Sequence, residues 1–97
     1  MRRGEAIRRL KKREAELKQL GVLHLYLFGS TARDEAMQLS DVDLFFDYER
    51  GQLSLYGLMD IKELARETLG RPTDIMTRSS LHSALREEIE ASAIRVF

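Results

Sequence analysis

The sequence contains no cysteine, a single proline and no apolar run long enough to cross a bilayer. Without cysteine there is no disulfide framework and no thiolate metal site, a composition that fits a reducing cytosol. A membrane-spanning helix needs roughly 18 consecutive apolar residues, and no stretch approaches that. The basic N-terminus is not followed by an apolar segment and a small-residue cleavage site, so no secretory leader is expected. The expectation is a cytoplasmic chain without membrane contact. With 97 residues the chain has room for one small domain, spanning 1–97. A chain of this size buries about two-thirds of the surface it exposes when unfolded. A homo- or hetero-oligomeric contact would therefore add usefully to one modest core. The apolar fraction of 43% argues against disorder.

Charge is balanced overall, sixteen basic against sixteen acidic residues, but it is unevenly placed. Arg2, Arg3, Arg8, Arg9, Lys11, Lys12, Arg13 and Lys18 all fall near the N-terminus. Such a run is read first as a solvated helix face, and otherwise as an arm for nucleic acid or an acidic partner. Nucleic acid is not the expected main partner, because a chain of this length has no room for a second domain to hold a template; the basic helix leaves only weak RNA or DNA binding open.

Residues 3–19 read as an amphipathic helix on Ile7, Leu10, Leu17 and Leu20, with Glu14 interrupting the stripe. Residues 22–28 are short, uncharged and aromatic, which predicts a buried strand. Gly29-Ser30 ends it, and 31–37 can form a short helix. Residues 42–48 read as a second strand. A long helix is predicted over 54–69, with Leu55, Leu58, Ile61, Leu64, Ala65 and Leu69 on one side. Ser54 is the expected N-cap and Gly70 the expected terminator. Pro72 then blocks helix, 73–77 form a third strand, and 80–92 a last helix on Leu81, Leu85 and Ile89.

The chemistry lies in two clusters, Gly29-Ser30-Thr31-Ala32-Arg33 and Ser40-Asp41-Val42-Asp43-Leu44. On a strand, Asp41 and Asp43 point to one face. Two adjacent carboxylates repel, and a core strand gains nothing from them. A hard divalent cation such as Mg²⁺ resolves the repulsion. Alone, Asp-x-Asp is read first as a strand-entry turn with solvated acids. Its neighbours shift the weight. Glycine at 29 lets an anion approach the backbone, a helix start offers free N–H groups, Ser30 adds a hydroxyl, and Arg33 follows one turn on. That combination is a phosphate cradle beside a metal-binding pair.

If both clusters meet one triphosphate, strand two starts where strand one ends, and the two run antiparallel. Asp74 begins strand three, and it joins the site only if strand three runs parallel to strand two. The helix at 54–69 is long enough for that crossover. The expected fold is therefore α/β, a small mixed sheet in the order 1-2-3 packed with helices, with Asp41, Asp43 and Asp74 at one edge. The simpler reading of Asp74 is a turn acid, or a partner for Arg71 or Arg78. His24 and His82 lack evident ligand partners and are expected to be structural.

The pattern Gly-Ser-x-Ala-Arg, then Ser-Asp-x-Asp-Leu, then one Asp on a later strand resembles the DNA polymerase β-type nucleotidyltransferase superfamily. The resemblance covers about 22–77. In length the chain is similar to the minimal nucleotidyltransferases, the MntA-like antitoxins encoded beside HEPN-domain proteins. The resemblance implies that Gly29, Ser30, Arg33 and Ser40 bind the nucleotide. It implies that Asp41, Asp43 and Asp74 hold two Mg²⁺ ions and act in catalysis. It also implies ATP as donor and a tyrosine hydroxyl of a HEPN-type RNase toxin as acceptor, silenced by AMP transfer. Relatives often carry glycine directly after the arginine of the first motif; here Asp34 stands there, a carboxylate close to the expected phosphates.

Two other functions stay open on the sequence. A non-catalytic antitoxin would block its toxin sterically over a vestigial site. A small-molecule nucleotidyltransferase would modify a diffusible acceptor, although such enzymes usually carry a further acceptor domain.

Overall fold

The computed structural model describes residues 1–37 and 41–97. The element order is α1 (Arg3–Lys11), α2 (Glu14–Gln19), β1 (His24–Phe28), α3 (Gly29–Ala32), β2 (Val42–Asp47), α4 (Leu55–Leu69), β3 (Thr73–Thr77), a 3₁₀ turn (Arg78–Ser80), α5 (Arg86–Ser92) and β4 (Ile94–Arg95). The sheet order is β3-β2-β1-β4. β1 is antiparallel to β2, and β2 is parallel to β3, as the shared-site argument requires. The expected 1-2-3 core is thus present, and β4 extends it at the β1 edge through Tyr26↔Arg95 and Leu27↔Ile94. Leu25 continues this pairing, its carbonyl accepting from Val96 N and its N–H donating to Phe97 O.

Alternation divides the sheet into two faces. Leu25, Leu27, Leu44, Phe46 and Ile75 point to the main core, where they meet Ala6 and Leu10 of α1, Leu17 of α2, and Ile61, Ala65 and Leu69 of α4. The other face carries an aromatic layer. Tyr26 and Phe45 stack at 4.8 Å, Phe28 tilts against Phe45 at 5.7 Å, and the Arg78 guanidinium lies over both the Tyr26 and Phe45 rings. Phe45 is fully buried there without joining the main core. No helix among the described residues is long and apolar enough to cross a membrane.

The long crossover helix matches its sequence signals. The Ser54 hydroxyl accepts from Gly57 N at 3.0 Å, and Gly70 takes the left-handed conformation (φ 66°) that terminates the helix without a Cβ penalty. Leu55 departs from its predicted core place and is exposed in the first turn of the helix.

Four local expectations need correction. The helix predicted over 3–19 is two helices: after Leu10 the next inward positions fall on Arg13 and Glu14. No apolar side chain holds that turn, and the ladder tightens to Arg13 N→Leu10 O. The helix predicted over 31–37 is the shorter α3, which starts earlier and closes at Arg33. The helix predicted over 80–92 begins only at Arg86. Upstream, Thr77 Oγ1 bonds the Ser79 and Ser80 hydroxyls, and His82 Nδ1 accepts from Ala84 N; these local bonds compete with the helical ladder. Leu85 is consequently half exposed rather than in core register. Finally, β4 lies within a C-terminal segment to which no strand was assigned.

Candidate active site

β1 delivers the chain to the site and α3 turns it. Phe28 is extended, and Gly29 then adopts φ 75°, a conformation that L side chains rarely hold. Space makes the same demand. A Cβ at position 29 would collide with the Asp43 Oδ2 atom and sit 3.3 Å from Asp43 Cγ. Phe28 is paired with Asp43 across the antiparallel ladder, so the Asp43 carboxylate lies directly beneath the strand-to-helix turn. Thr31 and Ala32 are buried and anchor α3 on the sheet, which leaves Ser30 partly open and Arg33 exposed.

The parallel ladder sets Asp43 beside Asp74. Asp43 is half-buried, Asp74 is exposed, and Asp41, immediately before β2, is exposed as well. The three acids thus share one open sheet edge with the Gly29–Arg33 turn. Their electrostatics are coupled: burial pushes the Asp43 carboxyl above the ordinary carboxylate range, the Asp74 and Asp41 charges push it the same way, and Arg33 opposes them. Arg33 itself holds Glu35, Nε to Oε2 at 3.2 Å, on the exposed side of the turn. Ser40 lies outside the described residues.

Among the described residues, no three acidic or histidine side chains already converge in metal-holding geometry. The donor set nevertheless has the chemistry a hard divalent cation selects. It is all carboxylate, it comes from adjacent strands, and it carries unrelieved repulsion at Asp43.

Arg71 and Arg78 were the alternative partners for Asp74. Arg78 is committed elsewhere: its guanidinium grips Asp47 through two bonds of 2.7 and 3.0 Å and reaches Glu90 at 3.3 Å. The histidines are away from the acids. His24 Nδ1 contacts Arg95 at 3.2 Å, and His82 caps its own turn. One member of the site region had no signal in the pattern. Arg3 reaches the turn after α3, its backbone N–H donating to Asp34 Oδ1 at 3.0 Å and its Nη1 to Ala32 O at 3.3 Å.

A family model described as nucleotidyltransferase domain matches residues 7–96. A Methanocaldococcus jannaschii protein to which protein adenylyltransferase activity is ascribed is 36% identical over 76 residues, 78% of this chain and 81% of its own. A Thermococcus cleftensis protein named protein adenylyltransferase MntA is 32% identical over 78 residues, 80% of this chain and 78% of its own. Among solved structures, one ascribed to a minimal nucleotidyltransferase superposes with a TM-score of 0.83 at 30% identity, covering 97% of this chain and 95% of that one. A chain in a solved complex of a tri-AMPylated Shewanella oneidensis HEPN toxin with an MNT antitoxin shares the fold, with a TM-score of 0.62 at 14% identity. That match covers 90% of this chain and 68% of the other.

Proposed function

The chain belongs to the nucleotidyltransferase domain family, and on that premise we propose that it transfers AMP from ATP to a hydroxyl, a tyrosine, of a HEPN-type toxin and so neutralises it. One observation carries the reading. Position 29 must lack a side chain for the Asp43 carboxylate to lie against the turn, and Asp74 stands beside it on the next strand. A solvated acidic turn needs neither relationship. The names of the relatives support protein adenylylation in particular, and the toxin complex supports the class of partner.

In this reading residues 1–97 form one catalytic domain acting in the cytoplasm. Gly29, Ser30, Arg33 and Ser40 hold the triphosphate. Arg33 exchanges its Glu35 partner for phosphate oxygens, a charge-assisted contact of the same geometry. Two Mg²⁺ ions held by Asp41, Asp43 and Asp74 would stabilise charge on the attacking and leaving oxygens. The acceptor oxygen forms its bond to the α-phosphorus as the bond to pyrophosphate breaks, and the hydroxyl proton leaves to solvent. The protein contributes chiefly position and preset charge. The open edge around Asp74 suits a hydroxyl presented by a second macromolecule, since no enclosing wall need move to admit it.

The test is to mix the chain with Mg²⁺, ATP and the product of the neighbouring gene, the expected HEPN-type partner, and to record intact masses. The expected result is one or more AMP additions to the partner, abolished by Asp41→Asn with Asp43→Asn. A stable complex without any mass gain overturns the reading and leaves steric blocking as the function.

A further inference from the structure

The site also involves a residue 31 positions away in sequence. Asp34 has φ 59°, the one positive value among the described non-glycine residues. Asp tolerates that region better than most residues, and glycine better still. Its backbone completes a helix terminator. Asp34 N donates to Thr31 O at 3.1 Å and Glu35 N to Ser30 O at 2.8 Å, the paired bonds of a Schellman motif closing α3.

The Asp34 side chain does something glycine cannot. Its Oδ1 accepts from Arg3 N at 3.0 Å. Arg3 opens α1, where N–H groups have no helical partner and where Arg2, at the N-cap, supplies no side-chain bond. The Arg3 side chain reciprocates, Nη1 donating to Ala32 O, one of the carbonyls left over at the end of α3. Two helix ends thus satisfy each other through one residue pair. The carboxylate that the sequence put close to the phosphates is directed at the start of α1.

We propose that Arg3 and Asp34 form a clasp that holds the Ser30–Arg33 turn in its nucleotide-binding geometry, which makes Asp34 a positioning residue for the triphosphate. The proposal rests on the adenylyltransferase reading for its ligand. Both clasp bonds end on the segment that presents Ser30 and Arg33, and neither touches the carboxylate edge. The clasp therefore acts on nucleotide affinity and leaves the chemical step alone.

Three variants test it. Asp34→Gly keeps the left-handed backbone accessible and removes the clasp. Asp34→Asn keeps both the backbone preference and an acceptor oxygen. Arg3→Ala keeps the backbone bond to Asp34 and removes only the reach to Ala32. With Mg-ATP as the probe, Asp34→Gly should raise KM for ATP roughly fivefold, the scale of one lost hydrogen bond, with kcat within about twofold of wild type. Arg3→Ala should raise KM less, and Asp34→Asn should behave as wild type. If Asp34→Gly binds ATP as well as or better than wild type, Asp34 repels the phosphates or is idle, and the proposal is overturned. A fall in kcat at unchanged KM overturns it too. Amide exchange gives a readout without nucleotide: the Glu35 N–H should exchange faster in Asp34→Gly and not in Asp34→Asn. If the wild-type chain takes no ATP, the adenylyltransferase reading fails on its own. Unchanged Glu35 protection in Asp34→Gly would then sink the clasp as well.

Discussion

The Asp43 carboxylate occupies the space that a Cβ at position 29 would fill. Two demands therefore meet at Gly29: a φ of 75° and an absent side chain. Gly29→Ala violates both, and the expected cost is about 2–3 kcal/mol of stability, the scale of a strained left-handed residue plus local crowding. AMP transfer should fall with it, because relief comes only by displacing α3 or Asp43. Chemical denaturation gives the first quantity and partner mass the second. Wild-type stability in Gly29→Ala would show that the turn is softer than its geometry indicates.

Asp43 also predicts a dependence on pH. Its carboxyl is raised from the ordinary 3.8 by burial and by Asp74 and Asp41. A raised folded-state value means that the native state holds the proton more tightly than the unfolded chain. That contribution is complete below the ordinary value and is lost as pH rises through the raised one. At neutral pH the ionised Asp43 is thus a local burden on the metal-free fold. Asp43→Asn should raise Tm at pH 7, and the gain should vanish near about pH 3, where both states are protonated. Adding Mg²⁺ should stabilise the wild type and leave Asp43→Asn unmoved, since only a bound ligand shifts the folding equilibrium. Thermal melts at two pH values, with and without Mg²⁺, check both statements.

Asp74 should separate stability from catalysis. It is exposed and its side chain supports no packing, so Asp74→Asn should leave Tm within about 2 °C of wild type, as expected for a surface substitution. The same change should lower kcat for AMP transfer about 100-fold or more, on the scale of losing several kcal/mol of transition-state charge stabilisation. Equal activity would remove Asp74 from the site.

Arg78 makes the opposite prediction. It pairs with Asp47 and Glu90 and lies over Tyr26 and Phe45; the bond to Asp47 chiefly, with the charges of Asp47 and Glu90, raises its already high pKa. Arg78→Met leaves Asp47, only 27% exposed, without its cation. The expected loss is about 2 kcal/mol, less than for a fully buried pair because both partners keep some solvent. Arg78→Lys should recover only part of it, since an ammonium supplies neither the two-pronged grip nor the flat stack. Denaturation midpoints decide this, and AMP transfer by the surviving folded fraction should stay within about twofold.

Ser54→Ala removes the oxygen that accepts from Gly57 N. The expected cost is about 1 kcal/mol, read as a fall in Tm of about 5 °C.

The sequence determined a good deal of this protein. Local signals placed β1, β2, α4 and β3 within a residue or two; β1, α4 and β3 are bounded by residues with a strong backbone preference, Gly29, Ser54, Gly70 and Pro72. Spacing and the need for one shared site fixed the strand directions and brought Asp41, Asp43 and Asp74 to one edge. What the sequence left undecided depends on contacts between residues far apart in the chain. The pairing of Ile94–Arg95 with β1 is carried by ladder bonds that any residue type can make, so the composition of β4 does not announce it. Asp34 shows the division most plainly. Read along the chain it is a carboxylate beside the phosphates, whereas in the folded chain Arg3 comes from another helix to take it, an encounter that local sequence does not encode and only tertiary packing creates.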